Sequence, residues 1–346
     1  MKELLKKLSL AFGPSGCEDE VRGIIKEYLQ NNMPNGAELY CDHNGGVFLH
    51  IKNEGKPKLM VSAHMDEVGF MVTHIEENGL LRFGNVGGID PIVLTSKRVV
   101  SESGVHGSII AKPVHLLSAD EKNKKPKVEN MMIDIGAKSR DDAKTMTFVG
   151  EYFTFDSDYV EYGDNLVKCK ALDDRLGCAI MCKTVKDIKD KEIESQYDLY
   201  FAFTCREEVG YSGAFGATQA IQPDFGIVIE SKAVSDVYGV SEQKKVCELG
   251  AGAIISFADL GTIYDRGFVN HVMALCDKKD IKCQVHRVVS GGNDSANIQK
   301  TAGGTRVALL SAASRYIHSP ADVVHYGDLD AIYKALKEVI SERGIV

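Results

Sequence analysis

The sequence predicts a mixed α/β fold, in which a three-layer αβα domain with a mostly parallel central sheet carries an inserted all-β domain. Two observations carry this prediction. Apolar strands alternate with helical patterns up to residue 68 and again from residue 164. Residues 69–163 instead hold short strands at close spacing, with no long helical pattern among them. At 346 residues the chain is long enough to build two cores. The expected division is therefore 1–68 plus 164–346 for the α/β part and 69–163 for a β-barrel.

The opening MKELLKKLSLAFGPSG sets lysines and leucines at helical spacing, and its apolar stretch LSLAF is too short for a signal-peptide core. Val21, Ile24, Ile25 and Leu29 continue a helical pattern over 18–30. LYCDHNGGVFLHI, with Asn44-Gly45-Gly46 in its middle, predicts a hairpin. KLMVSA (58–63) is a buried strand that runs into His64. The insert offers GFMVTHI, GLLRFGNV, RVVS, GVHGSIIA, MMIDIGA and FVGEYFTFD as strands, split by glycines, Pro91 and charged loops. Beyond Asp164 come a helix at 175–188, strand YDLYFAFT, strand FGIVIE ending at Glu230, and a helix at 266–278. Strands KCQVHRVV and RVALL, the loop SAASRYIHSP and a last helix at 328–342 capped by Asp328 complete the chain.

Composition excludes several classes. Apolar residues make up 44% and charged residues 26%, which argues against disorder. No segment approaches the ~18–20 apolar residues of a membrane span. The net charge of -8 and a single lysine cluster at 122–127 argue against a nucleic-acid partner. The nine cysteines are scattered without a C-x-x-C pair, so a disulfide framework or zinc ribbon is not expected. Reduced, mostly buried thiols in a cytoplasmic protein are the expectation.

The chemistry gathers at strand ends. His64 and Asp66 follow KLMVSA, Glu207 and Glu208 follow LYFAFT, Glu230 closes GIVIE, and His318 lies after RVALL. Asp173 and Asp174 stand just before a helix. Ligands of open α/β sheets bind outside the carboxyl ends of the strands. Carboxylates and imidazoles are ligands for zinc, cobalt and manganese, and a two-metal site needs a bridging carboxylate with terminal ligands on either side. A spare glutamate beside a ligating one can act as general base. Each residue also has a structural alternative. Asp173-Asp174-Arg175 suits a helix cap, Glu207-Glu208 a solvated strand end, Glu230 a salt bridge to Lys232, and His318 a turn. Neither H-E-x-x-H nor G-x-S-x-G is present, and the other eight histidines are expected to be structural or superficial.

Six segments in order, AHMDEVGF (63–70), KALDDRLGC (170–178), CREEVGYSGA (205–214), VIES (228–231), GGNDSANI (291–298) and SRYIHSP (314–320), resemble the tetrahedral (TET) aminopeptidases. That family includes glutamyl and deblocking aminopeptidases and some endoglucanase-labelled relatives. The resemblance runs over essentially the whole chain. It implies two divalent ions per subunit, zinc or cobalt first and manganese also compatible. It assigns Asp173 as bridge, with a cis peptide to Asp174. Glu208 and His318 would complete one metal site, and His64 and Glu230 the other. Glu207 matches the general acid/base and Asp66 the carboxylate that orients His64. Many relatives have Asp where this chain has Glu230. The resemblance further implies a PDZ-like barrel that mediates dimerisation, a hollow tetrahedral dodecamer, and peptide substrates. A glycoside hydrolase and a catalytically silent metal-binding scaffold stand as rival functions. For the side-chain pocket, residues 261–268, with Asp265 and Arg266, and the segment around Gly291 are the candidate lining.

Overall fold

The computed structural model describes residues 1–342. Helices Lys2–Leu10 and Asp19–Asn32 open the chain where the leucine spacing places them. Strands β1 (Glu38–Cys41) and β2 (Val47–Ile51) form the antiparallel hairpin. Asp42 closes its turn, because its carboxylate accepts from the Asn44 and Gly46 amides at 3.0 and 2.7 Å. β3 (Lys58–His64) is buried along nearly its whole length, as a central parallel strand must be.

Six strands then close a barrel in the order β4-β5-β8-β7-β6-β9. They are β4 (Gly69–Ile75), β5 (Leu81–Val86), β6 (Arg98–Ser101), β7 (His106–Ala111), β8 (Met131–Asp134) and β9 (Tyr152–Phe155). Every pairing in it is antiparallel. Closure leaves the barrel no open edge. Its core is its own: Phe70 meets Phe83 and Phe155 edge-on at 5.3 and 5.2 Å between ring centroids.

β10 (Val160–Tyr162) and β11 (Leu166–Cys169) form a small antiparallel sheet with β17 (Asp322–His325). β12 (Asp198–Thr204), β13 (Phe225–Ala233), β14 (Ala253–Ile255), β15 (Cys283–Val285) and β16 (Arg306–Ser314) join β1–β3 in an eight-stranded sheet. Its order is β1-β2-β12-β3-β13-β16-β14-β15. The four central strands, β12, β3, β13 and β16, run parallel. Helix Leu172–Lys189 packs on β3 and β13 and is itself covered by the two N-terminal helices. Gly177 makes that approach close, since a Cβ there would lie 2.8 Å from Ala63 Cβ.

Several boundaries differ from expectation. β16 continues to Ser314 and absorbs part of the expected loop, while β13 runs three residues past Glu230. The last helix spans Tyr326–Ser341 and is capped by His325 Nδ1, which accepts from the Gly327 amide. Asp328 is therefore not the cap. Its carboxylate instead holds the Gly250 and Gly252 amides at 2.8 and 2.7 Å. Helices Ser212–Ile221 and Ser295–Lys300 carry mostly small or polar residues, whose apolar period is too weak to read from sequence. The cysteines are free thiols, six of them buried. No helix among the described residues is long and apolar enough to cross a membrane.

A buried ion network sits where the barrel meets the sheet. Lys170 Nζ donates to both Glu67 oxygens at 2.7 and 2.9 Å and to the Ala11 carbonyl at 2.9 Å. Thr154 of β9 donates to Glu67 at 2.9 Å. Arg175, fully buried, donates to the Leu8 and Gly13 carbonyls and lies 3.5 Å from Glu67.

Candidate metal centre

The carboxyl ends of the parallel strands deliver the site. His64 is the last residue of β3 and pairs with Thr204, so Glu207 and Glu208 emerge beside it. Glu230 lies on β13 opposite Ser311 of β16. His318 sits in the turn between β16 and β17, with a φ of 59°.

Asp173 lies between the two histidines. One of its oxygens is 3.4 Å from His64 Nε2 and the other 3.3 Å from His318 Nε2. His64 Nε2 is also 3.6 Å from Glu230, and His318 Nε2 is 3.3 Å from Glu208. Ligand atoms of His64, Asp173 and Glu208 fall within 4.8 Å of one another, as do those of His64, Asp174 and Glu230. The structure thus brings together all five residues singled out as ligands. The Asp173-Asp174 peptide is cis. One Asp174 oxygen accepts from the Gly177 amide at 3.1 Å, as a residue capping a helix does, while its other oxygen has no hydrogen-bond partner.

Asp66 is fully buried. Its carboxylate accepts from the Glu207 and Glu208 amides at 3.0 and 3.2 Å and from Ser15 Oγ at 2.5 Å. His64 Nδ1 lies 3.1 Å from the Asp66 carbonyl and 3.4 Å from its carboxylate. Asp66 therefore anchors both the imidazole and the backbone of the two glutamates. His318 Nδ1 donates to the Gly88 carbonyl at 2.6 Å, which ties the site to the barrel segment. Neighbouring Gly87 has a φ of +83°, and a Cβ there would meet Val68 at 2.9 Å and Glu208 at 3.2 Å. Asp322 accepts from the Asp173 amide at 3.3 Å. Ser15, Gly88 and Asp322 escaped the sequence reading, because none carries a spacing signal.

A family model described as M42 glutamyl aminopeptidase matches residues 45–334. A curated protein of Acetivibrio thermocellus named as an aminopeptidase is 35% identical over 340 residues, 98% of each chain. Two solved structures superpose along the chain. The TET aminopeptidase of a marine-sediment Thaumarchaeota archaeon is 31% identical with a TM-score of 0.94, covering 99% of this chain and 96% of that one. The Pyrococcus horikoshii TET1 peptidase, which can assemble into a tetrahedron or a large octahedral shell, is 30% identical with a TM-score of 0.86, covering 99% of both. The chain belongs to the M42 glutamyl aminopeptidase family. It is thus a peptidase hydrolase.

In this M42 chain the site holds more acid than its imidazoles neutralise. Burial pushes the Glu207 carboxyl well above its ordinary value, and the charges of Glu230 and Glu208 add to that. Glu230 rises to about 8 through burial and the Asp173 charge. Burial would also raise Asp173, but the two imidazoles hold it well below the usual range. His318 shows the converse, since burial would lower it yet Asp173 and Glu208 hold it at about 11. Cations would relieve this crowding.

A cavity of about 590 Å³ opens over the cluster and reaches Tyr211, Lys232 and the segment Ser290–Asn293. The Gly291 segment lines it as expected, whereas residues 261–268 do not. Asp265 instead caps helix Arg266–Lys278 and pairs with Arg306 at 3.0 Å. The M42 chain also holds a buried histidine, His286, whose ring nitrogens both lack a hydrogen-bond partner.

Burial, with Lys232 nearby, lowers the His286 pKa from 6.5 to about 4. A depressed histidine pKa gives stability that is complete above the unfolded value and lost as pH falls toward the folded one. Solvent screening reduces the effect of such a shift, so the expected loss between pH 6.5 and about 4 is on the order of 1 kcal/mol. Denaturant titrations of wild type and His286→Phe over that range should diverge, with the variant's acid slope shallower. Equal slopes would show that His286 does not stay neutral.

Proposed function

We propose that the chain is a cytoplasmic, dinuclear metal-dependent aminopeptidase that removes N-terminal residues from peptides. The observation that carries this reading is Asp173, whose two oxygens face different imidazoles. A carboxylate shared in this way suits a bridge between two ions. The donor set fits zinc, cobalt or manganese, being carboxylate and imidazole throughout. Buried Asp173 Oδ1 and Asp174 Oδ2 also lack hydrogen-bond partners, as groups awaiting a cation would. His64 and Glu230 would hold one ion and Glu208 and His318 the other, with Asp173 between them.

When bound, the ions supply Lewis acidity that activates water and polarises the scissile carbonyl. Glu207 takes the proton of the attacking water and passes it to the leaving amine. Its raised pKa suits both halves of that transfer. Asp66 holds His64 and the Glu207 backbone in register. The insert 69–163 serves as a PDZ-like dimerisation domain beside a catalytic domain of 1–68 and 164–346. Exposed Ile92, Val114, Leu116, Phe148 and Val149 on that insert support self-association. A tetrahedral dodecamer is the assembly we infer, on the likeness to TET1.

A glycosidase needs two carboxylates and usually no metal, which leaves His64 and His318 without a task. A silent scaffold would leave buried Glu207 without one. Chelation followed by metal addition tests the reading. Hydrolysis of aminoacyl chromogenic substrates should fall to background with chelator and return with zinc, cobalt or manganese. Undiminished turnover of these substrates in chelator would defeat it.

A further inference from the structure

We propose that Asp322 is a positioning residue of the Glu208–His318 metal site. It ties the main chain of Asp173 to the base of the turn that carries His318, and so sets how tightly that ion is held. The proposal rests on the dinuclear reading and adds a determinant of its metal affinity.

His318 hangs in a turn closed by Arg315 and Val323, whose backbone amides each donate to the other's carbonyl at 3.0 Å. Asp322 stands at the base of that turn as the first residue of β17, where it pairs with Cys169 of β11. From Cys169 the chain runs only four residues to Asp173. The Asp322 carboxylate is buried, and its two oxygens serve different segments. Oδ2 accepts from the Asp173 amide at 3.3 Å, and Oδ1 accepts from the hydroxyl of Ser314, the last residue of β16. One side chain therefore spans the two stretches of backbone that present Asp173 and His318.

A buried carboxylate is destabilising unless hydrogen bonds offset its lost hydration. The turn needs no charge at its base, because backbone pairing already closes it. What the carboxylate adds is an acceptor for the amide of the residue that faces both imidazoles. Behind the cluster, Lys170, Asp173, Glu208, His318 and Asp322 line a cavity of about 10 Å³, room for about one water. Without the clamp, Asp173 and His318 have that space to shift into. The other site has separate supports. Asp66 orients His64 at the end of β3, and Glu230 lies within β13 and accepts from the Ser231 amide at 2.9 Å. Loss of Asp322 therefore falls first on the ion of Glu208 and His318.

The test is calorimetric titration of zinc into the chelator-stripped full chain, beside thermal unfolding of each variant. Wild type should bind two ions. Asp322→Ala should hold one near its wild-type affinity and weaken the other about 10–100-fold, the usual effect of removing a group that orients a ligand. Asp322→Asn keeps an oxygen for the Asp173 amide and a donor for Ser314 Oγ, so it should recover most of that loss. Ser314→Ala releases one end of the clamp and should weaken the same ion about 2–10-fold, which carries the test even where Asp322→Ala does not fold. In a Glu208→Gln background, which lacks the affected site, Asp322→Ala should leave the remaining ion's affinity unchanged. At saturating zinc, kcat of Asp322→Asn should return toward wild type with KM unmoved. Equal weakening of both ions, or zinc affinities unmoved in Asp322→Ala and Ser314→Ala, would overturn the proposal while leaving two metals in place. A wild type that binds fewer than two ions would remove the dinuclear reading, and the proposal with it.

Discussion

Glu207→Gln should lower kcat about 10²- to 10⁴-fold, the range of a lost general acid–base catalyst, with little change in bound metal. The substitution is nearly isosteric. It leaves the Glu207 backbone amide on Asp66 and every proposed ligand in place. What it removes is a carboxylate that lines the cavity without facing an imidazole, whereas Asp173, Glu208 and Glu230 all face one. Metal analysis of the purified variant, beside its turnover of an aminoacyl substrate, separates the roles. Glu208→Gln is the internal contrast. Its side chain lies 3.3 Å from His318, so that variant should lose metal together with activity. If Glu207→Gln turned over at the wild-type rate, another group would be the base. If it lost metal as Glu208→Gln does, Glu207 would be a ligand.

The site was legible in sequence because its residues occupy places with a local signature. His64, Glu207, Glu208 and Glu230 each terminate or follow an apolar run, and parallel strands carry such ends to one edge. His318 is different. It reaches the cluster through a left-handed turn and a hydrogen bond to Gly88, 230 residues earlier, which no periodicity encodes. Its place after the apolar run RVALL made it a candidate, and the motif SRYIHSP gave it a role. The barrel was legible as many short strands, but its closure order, with β8 between β5 and β7, was not. That order depends on pairings between distant segments. Asp328 misled the reading because an acid in the first turn looks like a cap, while its carboxylate serves a glycine loop some eighty positions away. Ser15 was invisible in sequence as a partner of Asp66, since a serine in a loop is common everywhere.

Glu67→Gln should destabilise the fold by about 3–5 kcal/mol, the penalty for stranding a buried charge. Glu67 is 2% exposed and receives Lys170, Thr154 and the Gly13 amide, with Arg175 close by. Burial lowers the Lys170 pKa, and the Glu67 charge opposes that shift. With the carboxylate gone, two buried cations face each other with only neutral oxygens, the Gln amide and backbone carbonyls, to hold them. Replacing both partners, as in Glu67→Met with Lys170→Met, should cost less than the single change predicts, because the stranded ammonium leaves with its partner. Urea unfolding of the two singles and the double gives the coupling directly, and an additive result would mean the pair contributes nothing. The same variants should also bind metal less well, because Glu67 follows Asp66 directly and Lys170 stands three residues before Asp173. The network spans the N-terminal helix, the start of the barrel and the approach to helix Leu172–Lys189. It fixes the backbone on both sides of the proposed bridge, so its loss should loosen the site before the whole chain unfolds.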